Sequence, residues 1–153
     1  MSGGAAAAPM SDDLYHRAIV DLAKQAAGAA RLEAPQASAT VDNPLCGDRV
    51  TIDLALADGR VRAVGHKVRG CMLCQAAAVA IAARAPGETP AALHQIAGRL
   101  DQAIRKDPAG LDGLWPELAA FAPVHRHKSR HDCVLLPFKA LLRALAQTGG
   151  DSA

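Results

Sequence analysis

From Val50 the chain alternates. Val50, Ile52, Leu54 and Leu56 are apolar, with Arg49, Thr51, Asp53 and Ala55 between them, the two-residue period of a half-buried strand. Asp58-Gly59 marks a tight turn, and Val61 and Ala63, alternating with Arg60 and Arg62, predict a second strand returning as a hairpin. Upstream, Leu32 to Thr40 reads as a connector containing Pro35, with a short edge strand near Ala39 to Val41. The remaining apolar positions recur at helical spacing. Leu14, Ala18, Ile19, Leu22 and Ala26 predict a first helix capped by Ser11 or Asp12 and weakened at Gly28. A second runs from Met72 to Arg84 and ends at Ala85-Pro86-Gly87. Thr89 before Pro90 opens a third through Leu93, Ile96, Leu100 and Ile104. A shorter helical piece surrounds Leu111, Leu114, Trp115 and Leu118, its limits blurred by Pro116. The last helix has His131 or Asp132 at its cap, Pro137 in its first turn, and a buried stripe of Leu135, Phe138, Leu141, Leu142 and Leu145.

Composition sharpens this picture. Of 153 residues 50% are hydrophobic but only 3% aromatic, so small side chains on helices should build the core and a mainly helical protein is expected. The length suits one domain, with residues 1–10 and 148–153 as mobile tails around a folded part at 11–147. A chain of this size closes a core without disulfides or metal, so its four cysteines call for a different reason. No apolar run reaches the roughly 20 residues that span a bilayer, and the start lacks a basic region followed by an apolar one, which predicts a cytoplasmic protein with no membrane partner. A net charge of +2, with both signs interspersed, argues against nucleic acid. Cytosolic thiols stay reduced, which leaves metal binding or reactivity.

The chemistry gathers at the element boundaries. Asn43-Pro44-Leu45-Cys46-Gly47-Asp48 places a thiol and a carboxylate two residues apart, on one side of the chain if the backbone is extended there. Cys71 follows Gly70 at a helix start and Cys133 falls in the first turn of the last helix, positions where unpaired amides favour thiolates. Cys46, Asp48, Cys71 and Cys133 suit four-coordinate zinc or a cysteine-held iron-sulfur cluster, and the aspartate makes one position harder and more exchangeable. Each alone has a plainer explanation, a turn for the first motif and core packing for the others; their joint placement at chain turns favours a site. Cys71-Met72-Leu73-Cys74 is also a CxxC, but the strand-helix-strand setting of a dithiol oxidoreductase is absent, so Cys74 is an auxiliary thiol, an alternative ligand or a buried residue. The run His125-Arg126-His127-Lys128-Ser129-Arg130-His131 is either a solvated loop or a positive collar that lowers thiol pKa values and meets an acidic partner. His16, His66 and His94 read as surface or hydrogen-bonded residues.

Three separated motifs, Asn43-Pro44-Leu45-Cys46-Gly47-Asp48-Arg49, Arg69-Gly70-Cys71 and Arg130-His131-Asp132-Cys133 continuing to Leu141, resemble the NifU amino-terminal domain family, which includes the IscU and SufU proteins. The resemblance spans about Leu14 to Leu145. It implies an α+β fold, a small antiparallel β-sheet packed against several α-helices in a single domain, and it places Cys46, Asp48, Cys71 and Cys133 on the family's ligand positions. The separation of Cys71 from Cys133, with Asp132 and Arg130 before the latter, looks closer to SufU than to IscU. His131 is a poorer ligand candidate than Asp48. The implied function is iron-sulfur cluster assembly with a transient iron-sulfur cluster: sulfur arrives from a cysteine desulfurase, Cys133 is the persulfide acceptor, and apo iron-sulfur client proteins receive the product. In a SufU-like variant the metal is zinc, and exchange of one thiolate ligand frees the nucleophile of a sulfurtransferase. A dithiol oxidoreductase on Cys71 and Cys74 is the third reading.

Overall fold

The computed structural model describes residues 17–28, 30–45 and 47–148. Three antiparallel strands in the order β1-β2-β3 form one sheet: β1 (Ala37–Asn43), β2 (Asp48–Ala57) and β3 (Arg60–Arg69). Around it lie α1 (17–24, continued by a 3-10 turn at Gln25–Gly28), α2 (Met72–Arg84), α3 (Pro90–Arg105) and α4 (His131–Ala146). The α+β architecture expected from the resemblance is the one observed. The proposed caps Ser11 and Asp12, the apolar Leu14, His16 and both predicted tails at 1–10 and 149–153 lie outside the described residues.

The β2-β3 hairpin turns at Asp58 and Gly59, both at positive φ (55° and 76°), the left-handed pair that matches strand twist. β2 departs from half-burial. Val50, Ile52 and Leu54 are fully buried, but so is Asp53, and Thr51 and Ala55 are nearly so. The second face is covered by the connector after α1: the Leu32 amide donates to Asp53 Oδ2 (3.1 Å), His66 N–H to the Ala30 carbonyl (3.3 Å) and Gln36 N–H to the Leu54 carbonyl (2.8 Å). Gly65 makes room for this strap, because a Cβ there would lie 2.6 Å from the Leu32 nitrogen. Arg31 clasps Asp53 through Nε (2.9 Å) and Nη2 (3.0 Å), and Ser38 Oγ donates to the same carboxylate at 2.6 Å. His66, expected at the surface or hydrogen-bonded, is 5% exposed; paired with Ile52, its ring is on the core face of the sheet, and only its backbone N–H reaches the strap. The edge strand, expected to be short, runs seven residues because its register with β2 extends from Ala37↔Leu54 to Asn43↔Asp48.

α4 packs on β1 and β2, α2 on β3 and α4, and α3 on α4. Thr89 caps α3 by accepting from the Ala92 amide (3.1 Å). Between α3 and α4 the predicted helical piece resolves into 3-10 segments at Pro108–Leu111, Pro116–Arg126 and Lys128–Arg130. Leu118, Phe121 and Val124 are buried at intervals of three, matching three residues per turn, and Pro116 and Pro123 withhold amides that an α-helix would use. The last of these segments leads directly into α4, so Arg130, with no side-chain cap, stands where His131 or Asp132 was expected. Pro137 is accordingly in the second turn of α4 and not the first. No helix among the described residues is long and apolar enough to cross a membrane.

Candidate metal centre

The β1-β2 connection supplies the first group. Asn43 holds the turn together: its Oδ1 accepts from the Leu45 amide (3.1 Å) and its carbonyl from the Gly47 amide (2.8 Å), with Gly47 at φ 75°. Pro44, Leu45 and Gly47 are turn residues, and β2 begins at Asp48. Cys46 itself lies outside the described residues. Leu45 is 92% exposed beside it in sequence, while Asp48, the first residue of β2, is 5% exposed.

Asp48 organises its surroundings with both oxygens. Oδ1 accepts the Cys71 amide (3.3 Å) and Oδ2 accepts the Cys74 thiol (3.3 Å). Gly70 permits this placement, since a Cβ at that position would fall 2.7 Å from both Cγ and Oδ1 of Asp48. Cys71 is the N-cap of α2 and leaves its thiol half-buried; Cys74, one turn along, is fully buried. The ligand atoms of Asp48, Cys71 and Cys74 all lie within 4.8 Å of one another. Metal-sulfur bonds to zinc are about 2.3 Å and metal-oxygen bonds about 2.0–2.2 Å, so donors around a common ion sit roughly 4 Å apart. Two sulfurs and a carboxylate oxygen at this spacing fit a zinc or iron ion with little rearrangement.

Cys133, the third residue of α4 and 4% exposed, lies near Cys71, whose pKa its thiol helps to lower, but its sulfur is not part of the group within 4.8 Å. Its carbonyl has a separate role. In a regular helix the carbonyl of residue 133 would accept the amide of residue 137, but Pro137 has none. The Cys74 thiol reaches that carbonyl at 3.0 Å. The same sulfur thus bridges β2 and α4, and its one proton serves Asp48 Oδ2, the Cys133 carbonyl or the Cys71 sulfur, one at a time.

Hydrogen bonding from Cys74 lowers the Cys71 pKa to about 6, against the effects of burial and of the nearby Asp48 charge, with further help from Cys133. Cys74 is pushed strongly upward, by donating to Cys71 and by burial, and remains a protonated thiol. The site therefore pairs one half-exposed thiolate with one buried donor.

His131 is 5% exposed and donates from Nε2 to the His125 carbonyl (2.9 Å); its ring stacks on that of His125. Arg130 is exposed on the final 3-10 turn. His131 is not in the group gathered around Asp48. The element that sequence reasoning left open is Cys74. Two signals marked it: its three-residue spacing from Cys71 at a helix start, and a proline four residues after Cys133. Outside the thiols, Asp42, Asn43, Pro44, Gly47, Arg49 and Arg69 line a cleft of about 420 Å³ that opens on Asp48.

Residues 14–103 match the sequence family described as NifU-like N terminal domain, a stretch that contains positions 46, 48, 71 and 74. The iron-sulfur cluster assembly scaffold protein IscU of Thermotoga maritima is 24% identical over 132 residues, covering 86% of this chain and 92% of that protein. Among solved structures, the amino-terminal part of a nitrogen-fixing NifU-like protein from Brucella abortus superposes with a TM-score of 0.78 at 31% identity, covering 90% of this chain and 96% of that one. A candidate scaffold for SUF-system iron-sulfur cluster assembly from Fervidobacterium islandicum gives 0.74 at 23% identity, with coverage of 84% and 93%, and shares the fold.

Proposed function

Because this chain belongs to the NifU-like N terminal domain family, we propose that it works as an iron-sulfur cluster assembly scaffold, with Cys46, Asp48, Cys71 and Cys133 as the groups that hold iron and sulfide. The observation that carries this reading is the approach of β2, α2 and α4, with the ligand atoms of Asp48, Cys71 and Cys74 within 4.8 Å of one another and the Cys74 thiol 3.0 Å from the Cys133 carbonyl. A cysteine desulfurase supplies the sulfur and apo iron-sulfur proteins take the product. Uptake begins with Cys71: it is the half-exposed thiolate, whereas Cys133 is nearly closed from solvent. Attack by the Cys71 thiolate on a desulfurase persulfide moves the outer sulfur onto Cys71 and returns the desulfurase thiolate. Cys133 is the neighbouring thiol to which that sulfur then passes by the same exchange.

The half-exposed thiolate also supports a second reading, in which the chain activates the desulfurase as a sulfurtransferase and zinc is the resident metal. Zinc on these ligands would keep the thiolates deprotonated and ordered.

Metal analysis of anaerobically purified protein, followed by reconstitution with ferrous iron and sulfide, separates the two. A thiolate-to-iron absorption band that forms, passes to an apo-ferredoxin and is lost in Cys71→Ser is the expected result. Tight stoichiometric zinc with desulfurase activation supports the transferase. Undiminished band formation in Cys46→Ser, Cys71→Ser and Cys133→Ser alike overturns the ligand assignment. Asp48→Ala should retain the cluster longer, its exchangeable oxygen position having been removed.

A further inference from the structure

Sulfur carried on a persulfide is not yet sulfide: two electrons must reach it before it can bridge metal ions. Cys74 is placed to supply them. It is fully buried, one helical turn from Cys71, and its sulfur, that of Cys71 and an Asp48 oxygen lie within 4.8 Å of one another. It is held there from two sides, by Asp48 Oδ2 at 3.3 Å and by the Cys133 carbonyl that Pro137 leaves without a helical partner at 3.0 Å.

We propose that Cys74 is a resolving thiol that reduces a persulfide on Cys71 and releases its outer sulfur inside the site. This rests on the sulfur-acceptor reading above and extends it. In the step, the Cys74 proton passes to Asp48 Oδ2 and the Cys74 sulfur attacks the inner sulfur of the Cys71 persulfide. The Cys71–Cys74 disulfide bond forms, the persulfide bond breaks, and the outer sulfur leaves as hydrosulfide with the bonding electron pair. The two protein thiols are oxidised together by two electrons and the transferred sulfur is reduced by two, so the first turnover needs no other reductant. A cellular thiol reductant of the glutathione or dithiol class then reopens the disulfide. A disulfide needs its sulfurs about 2.0 Å apart, and the Cys71 backbone is fixed at the N-cap by the Gln75 amide on its carbonyl and by Asp48 on its own amide, so the approach from within 4.8 Å is made by the side chains. Attack on the outer sulfur instead would only move the persulfide to Cys74 and release nothing.

The test uses the full chain, persulfidated with inorganic polysulfide, desalted without reductant, and followed for free hydrosulfide and by peptide mass mapping. Wild type is expected to release one hydrosulfide per chain while acquiring a Cys71–Cys74 disulfide, and to release more only when dithiothreitol is present. Cys74→Ser should hold the sulfur it takes up, with release per bound persulfide slowed at least tenfold until dithiothreitol is added. A stable persulfide on wild type, a persulfide on Cys74 with no disulfide, or wild-type release from Cys74→Ser overturns this inference and leaves the acceptor reading intact. Wild type that takes up no sulfur overturns both. The disulfide map needs only the wild-type chain, so the result does not hinge on the variant folding.

Discussion

At the scale of single residues, the site depends on an absent side chain as much as on those present. Gly70 has no positive φ to explain it; what it avoids is a 2.7 Å collision with the Asp48 carboxylate. Gly70→Ala should therefore displace Asp48 from the amide of Cys71 and the thiol of Cys74. Overpacking of this kind costs about 1–3 kcal/mol, and a displaced Asp48 no longer supplies its oxygen donor, so zinc binds more weakly, while a bound cluster, without its exchangeable position, is held longer. Thermal unfolding and zinc titration against a chelating dye measure the two effects; unaltered zinc affinity would show that Asp48 placement is irrelevant to the site. Cys71 offers a second measurement. With its pKa lowered to about 6 by donation from Cys74, its alkylation by iodoacetamide in metal-free protein should be flat above neutrality and fall through a midpoint near pH 6 on acidification. Cys74→Ala removes the leading cause, so the midpoint should move up toward the ordinary thiol range. Peptide mapping assigns the alkylated residue, and a midpoint that stays put would exclude Cys74 as the donor.

At the scale of elements, the strap at residues 30–36 does for the outer face of the sheet what the helices do for the inner one. Its anchor is Asp53, on the central strand and fully buried. Burial pushes the Asp53 carboxyl upward, but hydrogen bonds from Arg31, Ser38 and the Leu32 amide outweigh this and leave it below its ordinary value of 3.8. A carboxylate whose pKa is depressed by folding stabilises the fold above the unfolded value, and that contribution disappears as pH falls through the folded one. Asp53→Asn should lower stability by about 2 kcal/mol at neutral pH, the loss of charge-assisted hydrogen bonds to a buried acceptor. Below about pH 4 the wild-type and variant curves should converge. Urea unfolding across pH 2.5 to 7 checks this, and a constant gap between the curves would rule out the carboxylate as its source.

At the scale of the whole molecule, what the sequence made legible was local and periodic. The hairpin at Asp58-Gly59, the helix from Met72 to Arg84 and the Thr89 cap each follow from spacing and turn chemistry within a few residues, and each stands as expected. What depended on contacts between distant segments was less legible. The full burial of Asp53 comes from a strap 21 to 22 residues away that no alternation in β2 announces. The three-residue stripe of Leu118, Phe121 and Val124 can be read as a weak α-helix until the prolines are counted as missing donors. At the centre, Asp48, Cys71 and Cys133 could be marked from motifs, whereas the attachment of Cys74 to α4 required knowing that α2 and α4 lie side by side.

That attachment has an evolutionary corollary. Because the proline at 137 leaves a carbonyl that the thiol at 74 satisfies, the two positions are not free to drift separately: an apolar residue at 74 is tolerable only once 137 regains an amide. Among relatives of this chain, loss of the proline and loss of a donor at 74 should travel together.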